Sequence, residues 1–278
     1  MLLSIRHETL YRYAAPVSYS LQTMRLWPRA DSGQRVRHWR IEAPGRRWMQ
    51  TDAFGNTAMV SSLTEPHQEI KVVAVGEVDT VDEPGALMAH DTSVPPLAFA
   101  LPTSFTEANA AIAELARTGL QGVDSRALDS GEAFMPLMAR IAERIEYTQG
   151  VTSVGDSAIH AIEKGKGVCQ DMTHVLLACC RSVGLPARYV SGYLRTDASH
   201  AASHAWAEVW LAGAHVGRGA WVGLDVTHQR LAGPELCRLA VGRDYNDASP
   251  VRGIHMGGSG EQLSVHVNVQ EGGAGADQ

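Results

Sequence analysis

The stretch GKGVCQD, residues 165–171, places a cysteine where a helix is predicted to begin. The glycines before Cys169 disfavour helix, and the apolar residues after it recur at helical spacing until Gly184 and Pro186 end the run. The first turn of a helix carries unpaired backbone N–H groups and the positive end of the helix dipole, and both favour an anion. The sequence therefore predicts that the Cys169 thiol lies where it can become a reactive thiolate.

The other three cysteines, Cys179, Cys180 and Cys237, are expected to be small buried apolar residues. The four cysteines together form neither a disulfide framework nor a CxxC zinc pattern. A free thiol persists in a reducing environment, so this usage predicts a cytoplasmic protein.

Length and composition are those of an ordinary globular protein. The 278 residues suffice for one large domain or two smaller ones, and 45% are hydrophobic while 19% are charged. A net charge of -6 gives no reason to expect nucleic-acid binding, and the arginines between Arg25 and Arg47 are predicted to lie on the solvated face of strands. Charge from Arg6 onward argues against a secretory signal peptide, and no apolar run approaches the roughly 18 residues of a membrane span.

The first third of the chain is predicted to form an antiparallel, β-sandwich-like domain. Apolar and polar residues alternate with a period of two in segments separated by turn residues: 3–13, 36–43, 57–63 and 69–78. Several short strands at regular spacing are typical of such a unit, which we assign to residues 1–90. The proline-containing stretch 83–102 is predicted to be a linker.

The rest of the chain is predicted to form a second domain, residues 91–270, so that the fold class is α+β. Helical spacing predicts four helices: 106–116, 134–145, 157–163 and a fourth that begins at Cys169. Strand patterns follow them: 187–194, 203–211, 220–227 and 261–269. The glycine-rich end, residues 271–278, is predicted to be a disordered tail.

The strand pattern alone brings a histidine and an aspartate together. In residues 203–211, His204 lies on the face opposite small alanines, which leave room for a helix. The glycine-rich segment that follows is predicted to be a hairpin loop. If Leu211 lies opposite Ala220, then His204 and Asp225 become diagonal neighbours on one face, about 7–8 Å apart at the backbone. A slip of one residue would put them on opposite faces.

Other residues compete for a place in the same site. The face of His204 also carries Trp206 and Glu208, and we interpret it as the wall of a cleft. Glu208 is a rival to Asp225, although Trp206 stands between it and His204. Asp171 is close to the thiol in sequence, but an acid in the first turn of a helix is favoured by the dipole and is interpreted as structural.

A metal site is a weaker interpretation of the same histidines. His200 and His204 are four residues apart, a spacing that binds zinc from a helix, and Asp225 or His228 could complete the site. The period of two through residues 203–211 removes the helix that this geometry needs. The sequence therefore predicts no metal and no cofactor.

Three blocks in the order Cys, His, Asp resemble the bacterial transglutaminase-like family: GVCQD (167–171), SHAWAEV (203–209) and GLDVT (223–227). The segments RSVGLPARYVSGY (181–193) and GRDYNDASPVRG (242–253) add to the resemblance. The strand-rich start, with HETLYRY (7–13) and LWPR (26–29), is similar to the N-terminal domain that often accompanies this core in bacteria. The resemblance covers most of the chain.

The resemblance implies a papain-like core, in which the cysteine begins a helix packed on an antiparallel sheet, and acyl transfer through a thioester. It implies that Cys169 is the nucleophile, His204 the base and later the acid, and Asp225 the residue that orients the imidazole. The Cys169 backbone N–H would hold one side of the oxyanion. Tyr147 is a candidate for the second donor.

The expected activity is on amide bonds of proteins or peptides. Hydrolysis, as by a protease or amidase, is favoured because water is the default acceptor wherever no amine is held. Two alternatives stay open: a protein-glutamine transglutaminase, and a peptide- or partner-binding scaffold without turnover. The sequence also leaves a homodimer open, and it predicts no binding of nucleic acid or membranes.

Overall fold

The computed structural model describes residues 1–81, 83–124, 127–196, 203–214 and 218–272. The strands, numbered along the chain, are β1 (Leu2–Met24), β2 (Gln34–Glu42), β3 (Arg46–Thr51), β4 (Thr57–Leu63), β5 (His67–Thr80), β6 (Glu146–Tyr147), β7 (Lys166–Gly167), β8 (Ala187–Leu194), β9 (Ser203–Leu211), β10 (Ala220–Asp225), β11 (Arg230–Leu231), β12 (Leu236–Gly242), β13 (Val251–Ser259) and β14 (Gln262–Glu271). The helices are α1 (Ala110–Gly119), α2 (Met135–Arg144), α3 (Ala158–Lys164), α4 (Cys169–Ser182) and α5 (Tyr245–Ala248). Within these ranges, no helix is both long and apolar enough to cross a membrane.

Strand β1 is the centre of a seven-stranded antiparallel sheet. Its first half pairs with β5 and β14, and its second half pairs with β4 and β13. The pairing with β5 is irregular between Arg12 and Val17, a stretch that contains Pro16, whose nitrogen cannot donate to a ladder. Strands β2 and β3 extend the sheet beyond β5 and β4. The predicted antiparallel character is confirmed, and because β1 is shared by both halves, the strands form one sheet.

The two last strands lie in this N-terminal sheet. The strand predicted at residues 261–269 is observed as β14, and β13 precedes it along the same side of β1. The first and last described segments are thus hydrogen-bonded neighbours, with Leu3 opposite Glu271. The division into residues 1–90 and 91–270 stays a prediction, and residues 273–278 of the predicted disordered tail lie outside the described residues.

The second sheet has five antiparallel strands in the order β11-β10-β9-β8-β12. Helix α4 packs on β9 and β8, and the alanine-bearing face of β9 joins the main core with residues of α1 to α4. Helix α1 begins at Ala110, later than predicted, because the Asn109 side chain caps it by accepting the Ile112 N–H at 3.0 Å. The mixed helix and sheet class is confirmed.

Residues 83–102, predicted to be a linker, pack against the second sheet. Met88 pairs with Trp221, and Phe99 is fully buried. Asp91 belongs to a buried ion cluster of three carboxylates and three guanidinium groups, which come from the second sheet, from the segment between β1 and β2, and from the segment after β5. Its members are Arg29, Asp31, Asp91, Arg188, Glu208 and Arg238.

This buried ion cluster overturns two sequence interpretations. Glu208 is fully buried, with its oxygens 2.7 Å from Arg188 Nε and 2.8 Å from Arg238 Nε. The part of β9 that carries Trp206 and Glu208 is therefore interior, and the predicted cleft wall is limited to its His204 end. Arg29 is also buried, 2.8 Å from Asp91, so the arginines of residues 25–47 do not all lie on a solvated face.

Candidate active site

Helix α4 begins at Cys169 because its start is fixed by local hydrogen bonds. The Asp171 carboxylate accepts the Val168 N–H at 2.8 Å and the Thr152 hydroxyl at 2.8 Å. A side chain at Gly167 would meet the Asp171 Cβ at 2.7 Å, so this close approach requires glycine. Asp171 is buried and holds the helix start, in agreement with its structural interpretation.

Cys169 is distinguished from the other cysteines by its surroundings. It is only partly buried, whereas Cys179, Cys180 and Cys237 are fully buried, as predicted. Burial raises the pKa of Cys180 to about 12 and raises the pKa of the other two buried thiols as well. These three thiols are therefore protonated at neutral pH and out of reach of solvent.

The predicted strand register is confirmed, and it brings His204 and Asp225 together. Leu211 lies opposite Ala220, and the imidazole Nε2 of His204 is 3.0 Å from the Asp225 carboxylate. The Cys169 side chain lies near the same imidazole and acts on its pKa, and both residues line one cavity. Because Nε2 faces Asp225, Nδ1 is the nitrogen left for the thiol. We call this arrangement the Cys-His-Asp cluster, defined by Cys169, His204 and Asp225.

Electrostatics within the Cys-His-Asp cluster favour a charged imidazole. Burial by itself lowers the pKa of His204, but its hydrogen bond with Asp225 and the neighbouring Cys169, together with their negative charges, outweigh burial and raise it to about 9. Burial opposes ionisation of Asp225, yet its hydrogen bonds with His204 and His228 hold the pKa of that carboxyl below its usual range. At neutral pH the structure thus favours an imidazolium next to a carboxylate.

A second histidine contacts the same carboxylate, and the sequence argument missed this role. His228 Nδ1 is 2.7 Å from the Asp225 oxygen that does not face His204, and Arg230 Nε lies 3.6 Å from that same oxygen. His228 follows Asp225 by three residues in the turn after β10, where a side chain can bend back to the strand end. That spacing is the signal that the sequence offers, although there His228 is predicted only as a possible metal ligand.

In the described part of the chain, His204, Asp225 and His228 are the group that could hold a metal ion, with ligand atoms within 4.8 Å of one another. One nitrogen of each ring, His204 Nε2 and His228 Nδ1, already faces an Asp225 oxygen, at 3.0 and 2.7 Å, which is the length of a hydrogen bond. The contacts present are those of a hydrogen-bonded network around one carboxylate. His200, the other predicted candidate, lies outside the described residues.

The two remaining candidates, Glu208 and Tyr147, have different surroundings. Glu208 is held by arginines in the buried ion cluster, and no described contact joins it to His204. Tyr147 is half exposed on β6, which pairs with β7 just before Cys169. Burial and the neighbouring Cys169 raise the pKa of Tyr147, and they outweigh a hydrogen bond with Gln149, which lowers it. Its role as an oxyanion donor stays a prediction.

A cavity of about 260 Å³ opens beside Cys169 and His204. Core residues such as Tyr189 and Tyr245 form one side, and residues of β1 and β14 form the other. The site therefore lies between the two sheets, with the thiol and the imidazole on its wall. An attacking sulfur, a proton carrier and space for a substrate are the elements that acyl transfer requires.

Family models match both parts of the chain. The model of the transglutaminase-like superfamily matches residues 117–226, a range that contains Cys169, His204 and Asp225. The model of the bacterial transglutaminase-like N-terminal region matches residues 3–79. The chain belongs to the transglutaminase-like superfamily. The resemblance read from the Cys, His and Asp blocks is therefore confirmed.

This transglutaminase-like chain is similar to mycobacterial proteins along nearly its whole length. An uncharacterized protein of Mycobacterium leprae is 29% identical, over 96% of this chain and 98% of the relative. One of Mycobacterium tuberculosis strain H37Rv is 30% identical, over 95% of this chain and 91% of the relative. The crystal structure of a candidate cysteine protease from Cytophaga hutchinsonii matches 100% of this chain and 92% of that chain, with a TM-score of 0.76 and 20% identity. That likeness confirms the fold, an N-terminal antiparallel sheet followed by a transglutaminase-like core.

Proposed function

We propose that the chain is a cysteine-dependent acyl-transfer enzyme that hydrolyses amide bonds of peptides or proteins. The observation that carries this proposal is the arrangement of one imidazole between a carboxylate and a thiol at a helix start, beside a cavity. Membership in the transglutaminase-like superfamily supports a papain-like cysteine enzyme. In this proposal Cys169 is the nucleophile, His204 the proton carrier and Asp225 the residue that orients it.

The first half of the proposed reaction forms a thioester. The Cys169 sulfur attacks the carbonyl carbon of the amide, and the carbonyl oxygen takes up the negative charge. The Cys169 backbone N–H, one of the unpaired donors of the first turn of α4, lies at the attacking residue and can donate to that oxygen, a contact worth about 3 kcal/mol. When the C–N bond breaks, the His204 imidazolium gives its Nδ1 proton to the leaving amine.

The second half of the reaction releases the acyl group. Neutral His204 takes a proton from a water molecule, and the water oxygen attacks the thioester carbonyl carbon. The C–S bond then breaks, which returns the thiolate and the imidazolium and releases a carboxylic acid. Asp225 holds its oxygen 3.0 Å from His204 Nε2, so the imidazole keeps the orientation that both halves need.

The thiol itself provides the first test. We expect iodoacetamide to label Cys169 stoichiometrically near pH 6, and we expect this labelling to be lost in His204→Ala. Cys169→Ala is the matched control, because it keeps the buried cysteines and should take up no label. An unreactive Cys169 in the folded wild-type protein would contradict the enzyme proposal and favour a binding scaffold.

A second assay separates hydrolysis from transamidation. A casein-like protein is incubated with the enzyme and a labelled primary amine, and both new termini and incorporated label are measured. We expect cleavage or ammonia release without incorporation, because no described residue of the cavity is an acid that would hold a cationic amine. Incorporation that depends on Cys169 would instead establish the transglutaminase alternative.

A further inference from the structure

The cavity beside Cys169 has a wall that the proposed chemistry does not use. In the N-terminal sheet, Thr9 lies opposite Val265 and Tyr11 lies opposite Leu263. Directly opposed residues of antiparallel strands share a face, and all four of these side chains line the cavity. One face of the β1-β14 pair therefore forms part of the wall of the cavity that contains the thiol.

This wall changes from buried to exposed towards the outside. Thr9 and Tyr11 are buried, whereas Leu263 and Val265 are 55% and 46% exposed. Strand β14 pairs with β1 on one side, and the described strands place no partner on its other side. Two half-exposed apolar side chains at the mouth of a reactive cavity leave surface that a ligand can remove from water.

The cavity also lacks a fixed charge that could pair with an ionised ligand. Among its described lining residues there is no aspartate, glutamate, lysine or arginine. Its ionisable histidine and cysteine groups are Cys169 with His204, which the reaction uses, and His7. Burial lowers the pKa of His7 to about 4, so this ring is neutral at pH 7. Apart from Cys169 and His204, the described lining offers no counter-ion to a charged substrate side chain, which would lose part of its water against the apolar wall.

We propose that Tyr11, Leu263 and Val265 form a subsite for an uncharged apolar side chain of a peptide substrate. This inference rests on the proposed function, since it assumes that the peptide is held with an amide carbonyl at Cys169. A volume of about 260 Å³ lies below the roughly 300–1,000 Å³ of sites for drug-sized ligands, so the cavity suits one or two residues of a peptide. In this proposal the N-terminal sheet selects the substrate, and helix α4 with the second sheet supplies the chemistry.

Peptidyl chloromethyl ketones test the subsite, because they place a peptide and an electrophile at the thiol together. The panel varies each of the two residues nearest the ketone among leucine, phenylalanine, glutamate and lysine, and the rate constant for alkylation of Cys169 is measured. At one of the two positions, we expect leucine or phenylalanine to react at least about tenfold faster than glutamate or lysine. Equal rates across the panel would overturn the subsite.

A charge placed in the subsite should change this preference. In Val265→Glu, we expect the lysine probe to gain about tenfold relative to the glutamate probe at that same position. Leu263→Lys should produce the opposite change and serves as the second variant. Ile254→Glu is the matched control, because Ile254 is an exposed apolar residue of the neighbouring β13 that does not line the cavity. We expect its selectivity to equal that of the wild type.

The outcomes separate the subsite from the proposed function. If iodoacetamide labels Cys169 in a His204-dependent manner while the probes show no preference, then the subsite alone is wrong. If iodoacetamide fails to label Cys169, the proposed function is wrong. The oligomeric state of the wild type and of Val265→Glu is measured by sedimentation. If the wild type is a dimer and Val265→Glu is a monomer with unchanged probe selectivity, then the apolar wall is a contact between copies of this chain and the subsite is wrong.

Discussion

The Cys-His-Asp cluster and the buried ion cluster contain buried carboxylates on the same sheet, but their partners differ in kind. Asp225 is fully buried and faces two histidines, whereas Glu208, equally buried, faces two arginines. His204 and Glu208 even share a face of β9, separated by Trp206. The two clusters are therefore alike in burial and in strand position.

The difference lies in whether the positive partner can give up its proton. Arginine keeps its proton at any pH at which the protein folds, so the buried ion cluster is permanently charged and can only hold segments together. Histidine can change its charge, so the Cys-His-Asp cluster can move a proton to and from the cavity. A buried carboxylate thus indicates chemistry in this molecule only when histidine is its partner and the cluster reaches a cavity.

Removal of the nucleophile should have the largest effect on catalysis. We expect Cys169→Ala to lose at least about 10⁴-fold in kcat/KM, because no thioester can form. The melting temperature should change little, since the thiol is only partly buried. Cys180→Ala is the control, and it should lower the melting temperature while active enzyme, counted by active-site labelling, keeps its kcat. Turnover of Cys169→Ala above one hundredth of the wild type would contradict the assignment.

The two clusters can be compared directly by removing the charge of one carboxylate in each, Asp225 and Asp91. We expect Asp225→Asn to lower kcat about 10²–10⁴-fold, because the amide cannot hold the imidazole in its productive tautomer. Its effect on stability should be small above about pH 9, where His204 is neutral in the wild type as well, and should grow towards acidic pH. Asp91→Asn, in the buried ion cluster, should show the reverse pattern, with kcat retained per folded molecule. Equal loss of stability in Asp225→Asn and Asp91→Asn would show that the two clusters do not differ in their contribution to stability.

Glu208→Gln measures how strongly the buried ion cluster holds the fold. The change leaves Arg188 and Arg238 buried with one counter-charge fewer, and breaking such a pair costs about 3–5 kcal/mol of unfolding free energy. Chemical denaturation gives this value. Glu42→Gln on the exposed side of β2 is the control and should leave the midpoint unchanged. A Glu208→Gln protein as stable as the wild type would show that the cluster is dispensable.

Local patterns predicted how the Cys-His-Asp cluster comes together, because its residues lie in segments with strong local signals. The glycines before Cys169 predicted the start of α4, and alternation in β9 together with a hairpin predicted the contact of His204 with Asp225. The hairpin allowed two parities, and the one that pairs Leu211 with Ala220 is observed. His228 was missed as a partner because its contact depends on the shape of a turn.

Long-range pairing could not be predicted in the same way. The strand pair that lines the cavity joins Tyr11 to Leu263, and no local pattern specifies a partner at that separation. The buried ion cluster was missed for a related reason, since a charged residue such as Arg29 is assigned to the surface unless its partner is known. The exposed strand β3 also lacks the alternation of burial from which strands are predicted.

The pH dependence of the Cys-His-Asp cluster follows from the raised pKa of His204. That pKa is 6.5 in an ordinary environment and about 9 in the folded protein, so protonation of His204 stabilises the fold below about pH 6.5. This contribution is lost as the pH rises towards and through 9. We expect kcat/KM to fall over the same alkaline range, because neutral His204 cannot protonate the leaving amine. The pH profile of Asp225→Asn should decline at lower pH, whereas that of Asp91→Asn should match the wild type.

His228 should have the smallest effect, because it acts on the reaction through Asp225. It approaches the Asp225 oxygen that His204 does not face, and its side chain is 42% exposed. We expect His228→Ala to lower kcat about three- to tenfold with an unchanged melting temperature, since the freed carboxylate can turn away from His204. His228→Asn retains an N–H donor and should recover part of the loss. A drop in melting temperature without a change in kcat would make His228 a purely structural contact, and full activity in His228→Ala would leave Arg230, 3.6 Å away, as the group that holds the second oxygen.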